Sequence, residues 1–169
     1  SVRHDGRGFL PWILIATALA ASSMIYPYVF NTEQERQGFE LFFGSAGCAN
    51  CHNPTAFSSF GNDWADIGLD VTYTDLGLGA NQPGMDGLFK IPSLRNVALT
   101  APYMHDGRFA TLEDVVRFYN QGGIKNPHLD NTVIPLELTG PEQQDLVAFL
   151  RSLNGEGWQH VAAPIEFPK

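Results

Sequence analysis

Cys48-Ala49-Asn50-Cys51-His52 holds both cysteines of the 169-residue chain and lies between a helix-like segment and a long run rich in Gly, Asp and Asn. A C-x-x-C-H pentad is the arrangement that attaches a c-type haem, with two thioethers to the vinyl groups and the histidine as an iron ligand. The spacing has a mechanical reason. One helical turn brings the sulfurs to neighbouring points along a porphyrin edge and places the histidine directly after them. A thioredoxin-type redox pair would need a βαβ context, which is absent, and a structural zinc site would need four ligands with no further cysteine to supply them. A structural disulfide is the remaining alternative at this spacing. Covalent attachment lets a small protein be built around a large apolar disc.

Outward from the pentad, the composition bounds the rest. A length of 169 residues, 44% of them hydrophobic and 17% charged, fits one globular domain with a core and excludes disorder and a large multidomain enzyme. Two cysteines exclude a multi-bridge scaffold. Ten Lys and Arg against 18 Asp and Glu give a net charge of -8, which repels phosphate backbones, so no nucleic-acid partner is expected.

Residues 9–30 read FLPWILIATALAASSMIYPYVF, a run of 22 without a charge, long enough as a helix to span about 33 Å. Arg3, His4 and Arg7 precede it and Glu33 and Glu35 follow, which puts the N-terminus on the cytoplasmic side and the remainder in the periplasm. Ala18-Leu19-Ala20 before Ala21 also matches a cleaved secretory signal, but the run continues to Phe30, which favours an anchor. Either way the following domain is exported. The expected organisation is residues 1–30 as an N-terminal membrane anchor with one transmembrane helix, and residues 31–169 as a periplasmic cytochrome c domain.

Within the exported part, Thr32 with Glu35 forms a capping box ahead of Phe39, Phe42 and Phe43, predicting a helix over about 33–44. Residues from Pro54 to Gly87 read as a long loop. A short helix is expected over Ser93–Ala98 after Pro92. Thr111 caps a helix whose apolar stripe is Leu112, Val115, Val116 and Tyr119, stopped by Gly122-Gly123. Thr139 with Glu142 caps a last helix carrying Leu146, Phe149, Leu150 and Leu153. No strand pattern competes, so the fold class is all-α, a cytochrome c-like haem domain with long loops.

Met85, Met104, Tyr119, His105 and His128 are able to reach iron from the exported side. Methionine raises the reduction potential, a phenolate oxygen stabilises ferric iron, and an empty position admits peroxide. Each has an ordinary explanation: Met85 exposed in a turn, Met104 packed, Tyr119 a core tyrosine with its hydroxyl satisfied elsewhere.

The pentad, the string from Phe89 through Lys90-Ile91-Pro92-Ser93-Leu94-Arg95-Asn96 to Tyr103-Met104-His105-Asp106-Gly107-Arg108, the segment Thr111–Gly123 and the closing Leu138–Leu153 helix carry a resemblance. From Gly38 to about Asn154 the chain resembles the C-terminal haem domain of bacterial diheme cytochrome c peroxidases and of the related diheme enzyme that matures the methylamine dehydrogenase cofactor. The second axial ligand in that family lies seven positions after the helix leucine; counting from Leu112 reaches Tyr119, so the resemblance implies His52/Tyr119 ligation, with Met104 and Met85 as alternatives. It also implies that His105 lies beside the haem without ligating it. Arg95 and Arg108 are assigned to the haem propionates, because a partly buried carboxylate needs a cation. The family's peroxidatic haem sits in a preceding domain, so one covalent haem c is expected here. Its interdomain calcium uses carbonyls matching Thr100 and Pro102 plus an asparagine from the other half.

These readings combine into an expected membrane-anchored monohaem c-type cytochrome of the bacterial inner membrane, single-pass with its haem domain in the periplasm. It would pass electrons to redox partner proteins as part of an integral membrane complex, with the acidic body guiding docking. The rival reading is a peroxidase-type or oxidative-maturation haem enzyme that takes its second haem from a partner.

Overall fold

The computed structural model describes residues 30–53, 57–59 and 63–155. Three helices form its frame: α1 over Glu33–Phe43, α2 over Leu112–Gln121 and α3 over Gly140–Ser152. Each begins where a threonine side chain takes up an otherwise unpaired backbone N–H. Thr32 and Thr139 form complete capping boxes with Glu35 and Glu142, and Thr111 accepts from the Asp114 amide. Gly122 ends α2 with φ 80°, a left-handed conformation that glycine adopts without a steric penalty.

The apolar stripes meet in one core. Phe42 of α1 and Phe149 of α3 are almost fully buried, with ring centroids 5.1 Å apart and the planes steeply inclined. Leu112 and Val116 of α2 join Leu146, Val147 and Leu150 of α3 in the same cluster. Helices α1 and α3 cross closely because Gly38 carries no side chain. A Cβ there would lie 2.0 Å from the Asp145 carbonyl oxygen and 2.7 Å from Phe149 Cβ.

Two expectations are corrected. The described residues are not all-α: β1, Trp64–Ala65, pairs antiparallel with β2, Phe89–Lys90, in the register Trp64 with Lys90 and Ala65 with Phe89. Pairs this short carry no alternating pattern to read. The expected leading transmembrane helix is not seen: no helix among the described residues is long and apolar enough to cross a membrane. The transmembrane helix and the single-pass inner-membrane placement built on it are therefore not carried forward. Except for Phe30, the apolar run of residues 9–30 lies outside the described residues, as does most of the expected anchor domain. Phe30 packs on Phe39, with centroids 5.1 Å apart.

The helix expected over Ser93–Ala98 is a single 3-10 turn at Val97–Leu99. Asn96 has φ 60°, and its backbone N–H donates to the Leu153 carbonyl at the end of α3 while its Oδ1 accepts from the Gly155 amide. The segment spends its polar groups on fastening α3 and leaves too few for a helix of its own.

Replacing Gly38 with alanine forces α1 and α3 apart, and the expected cost is at least about 1–3 kcal/mol. Urea unfolding of Gly38→Ala measures it; an unchanged midpoint would show that the helices part freely.

Candidate functional site

Gly47, with φ 63°, turns the chain into a 3-10 segment over Cys48–Asn50. The Cys51 and His52 amides both donate to the Cys48 carbonyl, at 3.3 and 2.9 Å, so the pentad does form the helical turn that its spacing demands. Both cysteines are free thiols.

Cys48, Cys51 and His52 open onto a cavity of about 540 Å³, within the range of roughly 300–1,000 Å³ usual for ligand sites. Its walls are predominantly aliphatic and aromatic. Phe42, Leu146 and Leu150 come from the α1–α3 pair, Leu112, Val115, Val116 and Tyr119 from α2, and Ala65, Ile67, Leu69 and Phe89 from the sheet and the loop after it.

Exclusion of water governs the chemistry of the groups on this wall. Burial pushes the Cys48 thiol up to about 12 and raises Cys51 as well. These are not the electropositive, low-pKa sites of reactive cysteines. The same desolvation lowers the pKa of His52 and favours its neutral form. His52 Nδ1 lies 3.2 Å from the Phe57 carbonyl oxygen and 3.1 Å from that of Pro92. Carbonyls only accept, so Nδ1–H is the donor and Nε2 keeps its lone pair, the tautomer an iron ligand needs. Tyr119 is pushed well above the usual phenol range, chiefly by burial. Its hydroxyl has no hydrogen bond among the described residues. A phenol lining the same apolar cavity as two thiols and a neutral imidazole fits the donor set for a c-type haem.

Of the other iron-ligand candidates, Met104 and His105 also line the cavity, while Met85 and His128 do not. Met85 is 41% exposed in the turn before Gly87. His105 stacks on Phe89, with ring centroids 3.7 Å apart and planes 11° from parallel. Arg95 and Arg108 are both absent from the wall among the described residues. Arg108 instead pairs with Asp70 and Asp106, each at 2.6 Å, and donates to the Leu69 carbonyl at 2.7 Å. It is a strut between the loop over the cavity and the segment bearing His105.

Two features escaped the sequence reading. Lys90 is on the wall, although it stands openly in the quoted string. Asp66 is 1% exposed; one of its oxygens accepts from Tyr73 Oη and the Gly68 amide, and the other has no partner among the described residues. Nothing in the local sequence separates this aspartate from the solvated ones around it.

No family model matches the chain. Methylamine utilization protein MauG of Methylorubrum extorquens is 43% identical over 125 residues, covering 72% of this chain and 35% of that protein. The cytochrome-c peroxidase IdrP2 of Denitromonas iodatirespirans is 36% identical over 159 residues, covering 78% and 42% respectively. Among solved structures, a MauG-like protein associated with microbial copper homeostasis superposes with a TM-score of 0.66 at 36% identity, covering 74% of this chain and 45% of that one. The diheme peroxidase BthA of Burkholderia thailandensis gives 0.59 at 27% identity, covering 76% and 45%. The chain thus spans less than half the length of these relatives.

Two outcomes follow from the ionisation states. In haem-free protein at pH 8, alkylation should favour Cys51 over Cys48, because the Cys48 thiol stays protonated until about pH 12; mass spectrometry of the labelled cysteines decides it, and equal labelling would contradict the burial. Asp106 is held below its ordinary range first by the Arg108 side chain. A carboxylate depressed in the folded state stabilises above its unfolded pKa and loses that contribution as pH falls through the folded one. Asp106→Asn should therefore lose less than about 1 kcal/mol at pH 7, and the deficit should vanish in acid. Urea titrations across pH would show a constant deficit if the pair were irrelevant.

Proposed function

We propose, because the chain belongs to the MauG and diheme cytochrome c peroxidase family and corresponds to its C-terminal haem domain, that it is the electron-relaying haem c domain of a peroxidase-type oxidoreductase. The peroxide-reacting haem of that reading lies in another domain or partner. The observation that carries the proposal is the Tyr119 hydroxyl, without a hydrogen bond among the described residues, on the same cavity as His52, Cys48 and Cys51. With His52 and Tyr119 both holding the iron, this domain would offer no vacancy for peroxide, and transfer of electrons would be the task left to it.

Haem c supplies one-electron chemistry at its iron. The chain's own residues do the rest. Cys48 and Cys51 would anchor the ring by thioethers, and the Pro92 and Phe57 carbonyls fix the His52 tautomer and so leave Nε2 able to bind iron. Tyr119 would hold the iron through its phenol oxygen, giving up its proton to do so. Phenolate oxygen stabilises ferric iron, so the potential is set lower than methionine would set it. The apolar walls exclude water. Met104 is the alternative ligand on the same wall, and Met85 has no place there.

A freely diffusing carrier is the weaker reading, because relatives that match the chain at 43% and 36% identity are a MauG and a cytochrome-c peroxidase. In this proposal the electrons come from a redox partner protein, drawn by the excess of acidic residues. Calcium remains a family expectation outside the proposal. Thr100 and Pro102 would offer it backbone carbonyls, and no cluster of three His, Cys, Asp or Glu stands ready among the described residues.

Haem-loaded protein tests ligation and role together. Tyr119→Phe should change the ferric absorption and EPR spectra and Met104→Leu should leave them alone, while Tyr119→Met should raise the reduction potential; the opposite pattern would reject Tyr119. Mixed with peroxide and a reductant, the loaded chain alone should turn over no faster than background. Rapid turnover would reject the relay role.

A further inference from the structure

A haem brings two carboxylates as well as an apolar ring, and the cavity wall offers almost nothing to receive them. Among the described residues the wall holds one Lys or Arg, Lys90, and no Asp or Glu. Arg108 is committed to two carboxylates and the Leu69 carbonyl, and neither it nor Arg95 is on the wall among the described residues.

We propose that Lys90 is the cation that receives a haem propionate and thereby sets the reduction potential of the iron. The inference rests on the haem c reading above and assigns this chain's residue, not its fold, to the task. Backbone pairing with Trp64 pins the Lys90 Cα at the cavity edge. Its Nζ donates to the Ile91 carbonyl at 3.0 Å, which uses one of three ammonium protons and leaves two for a carboxylate. The neighbouring Phe89 ring, stacked on His105, makes the adjoining wall flat and rigid. Lys90 is itself exposed, so solvent and salt screen its charge and its pull on a propionate is modest.

The sign of the effect is set by charge. A cation on the propionate disfavours the extra positive charge of ferric iron, so its removal makes reduction harder. Redox titration of haem-loaded Lys90→Met against the parent should show the ferric-to-ferrous ratio rising by up to about tenfold at fixed ambient potential, equivalent to about 59 mV for one electron. The difference should shrink at high ionic strength, and Lys90→Arg should restore most of the parent value. Arg95→Gln should leave the potential where it was. An unchanged potential in Lys90→Met at low salt, with haem attached, overturns the assignment and leaves the haem reading intact. A potential that moves with Arg95→Gln instead overturns it as well. Parent protein whose mass lacks a tetrapyrrole adduct after export through a haem-attachment system removes the haem reading and the assignment together.

Discussion

Withdrawal of water from one cavity is the constraint on which the rest of this structure depends. Four groups on its wall, two thiols, an imidazole and a phenol, are shifted with burial as the largest cause in every case. The direction differs with the chemistry: the acids hold their protons and the base gives its up, so all four are neutral. Neutral groups around an apolar void fit a large hydrophobic cofactor, and of the four only the Tyr119 hydroxyl is without a hydrogen bond among the described residues.

Keeping that void open in a small chain requires rigid walls. The α1–α3 crossing supplies one, made possible by the bare Cα of Gly38 and sealed by Phe42, Phe57 and Phe149, whose rings meet edge to face. The long loop supplies another and has little secondary structure to hold it. Polar fastenings replace helices there. Arg108 gathers Asp70, Asp106 and the Leu69 carbonyl, and Tyr73 reaches Asp66 and accepts from Asn126 Nδ2 at 3.2 Å. A guanidinium suits the first fastening because its fork serves two carboxylates and a carbonyl at once. This use leaves Arg108 off the cavity wall.

Homology and geometry bear on different parts of the functional reading. The relatives place the chain among MauG proteins and diheme peroxidases, and their greater length leaves room for a second haem domain. The geometry speaks to the division of labour, through a tyrosine hydroxyl left without a hydrogen bond among the described residues beside the C-x-x-C-H turn. An electron relay inside a peroxidase-type assembly satisfies both, and a lysine at the rim would tune that relay by charge alone.

Local signals were legible in the residues themselves. Thr32, Thr111 and Thr139 start helices because a hydroxyl at that position meets an amide two or three residues on, an interaction settled within one turn. Tyr119 fell on the buried stripe of α2 through the 3.6-residue period, and the pentad's turn follows from backbone bonds to Cys48. The paired strands, the arrest of the expected helix at Asn96, the strut of Arg108 and the place of Lys90 on the cavity wall belong to the tertiary structure. Each depends on a partner from 24 to 59 positions away, such as Phe89 for Ala65 or Gly155 for Asn96. Sequence periodicity reports which face of a helix turns inward; only chain packing decides which distant carboxylate or carbonyl a cation finds when it gets there.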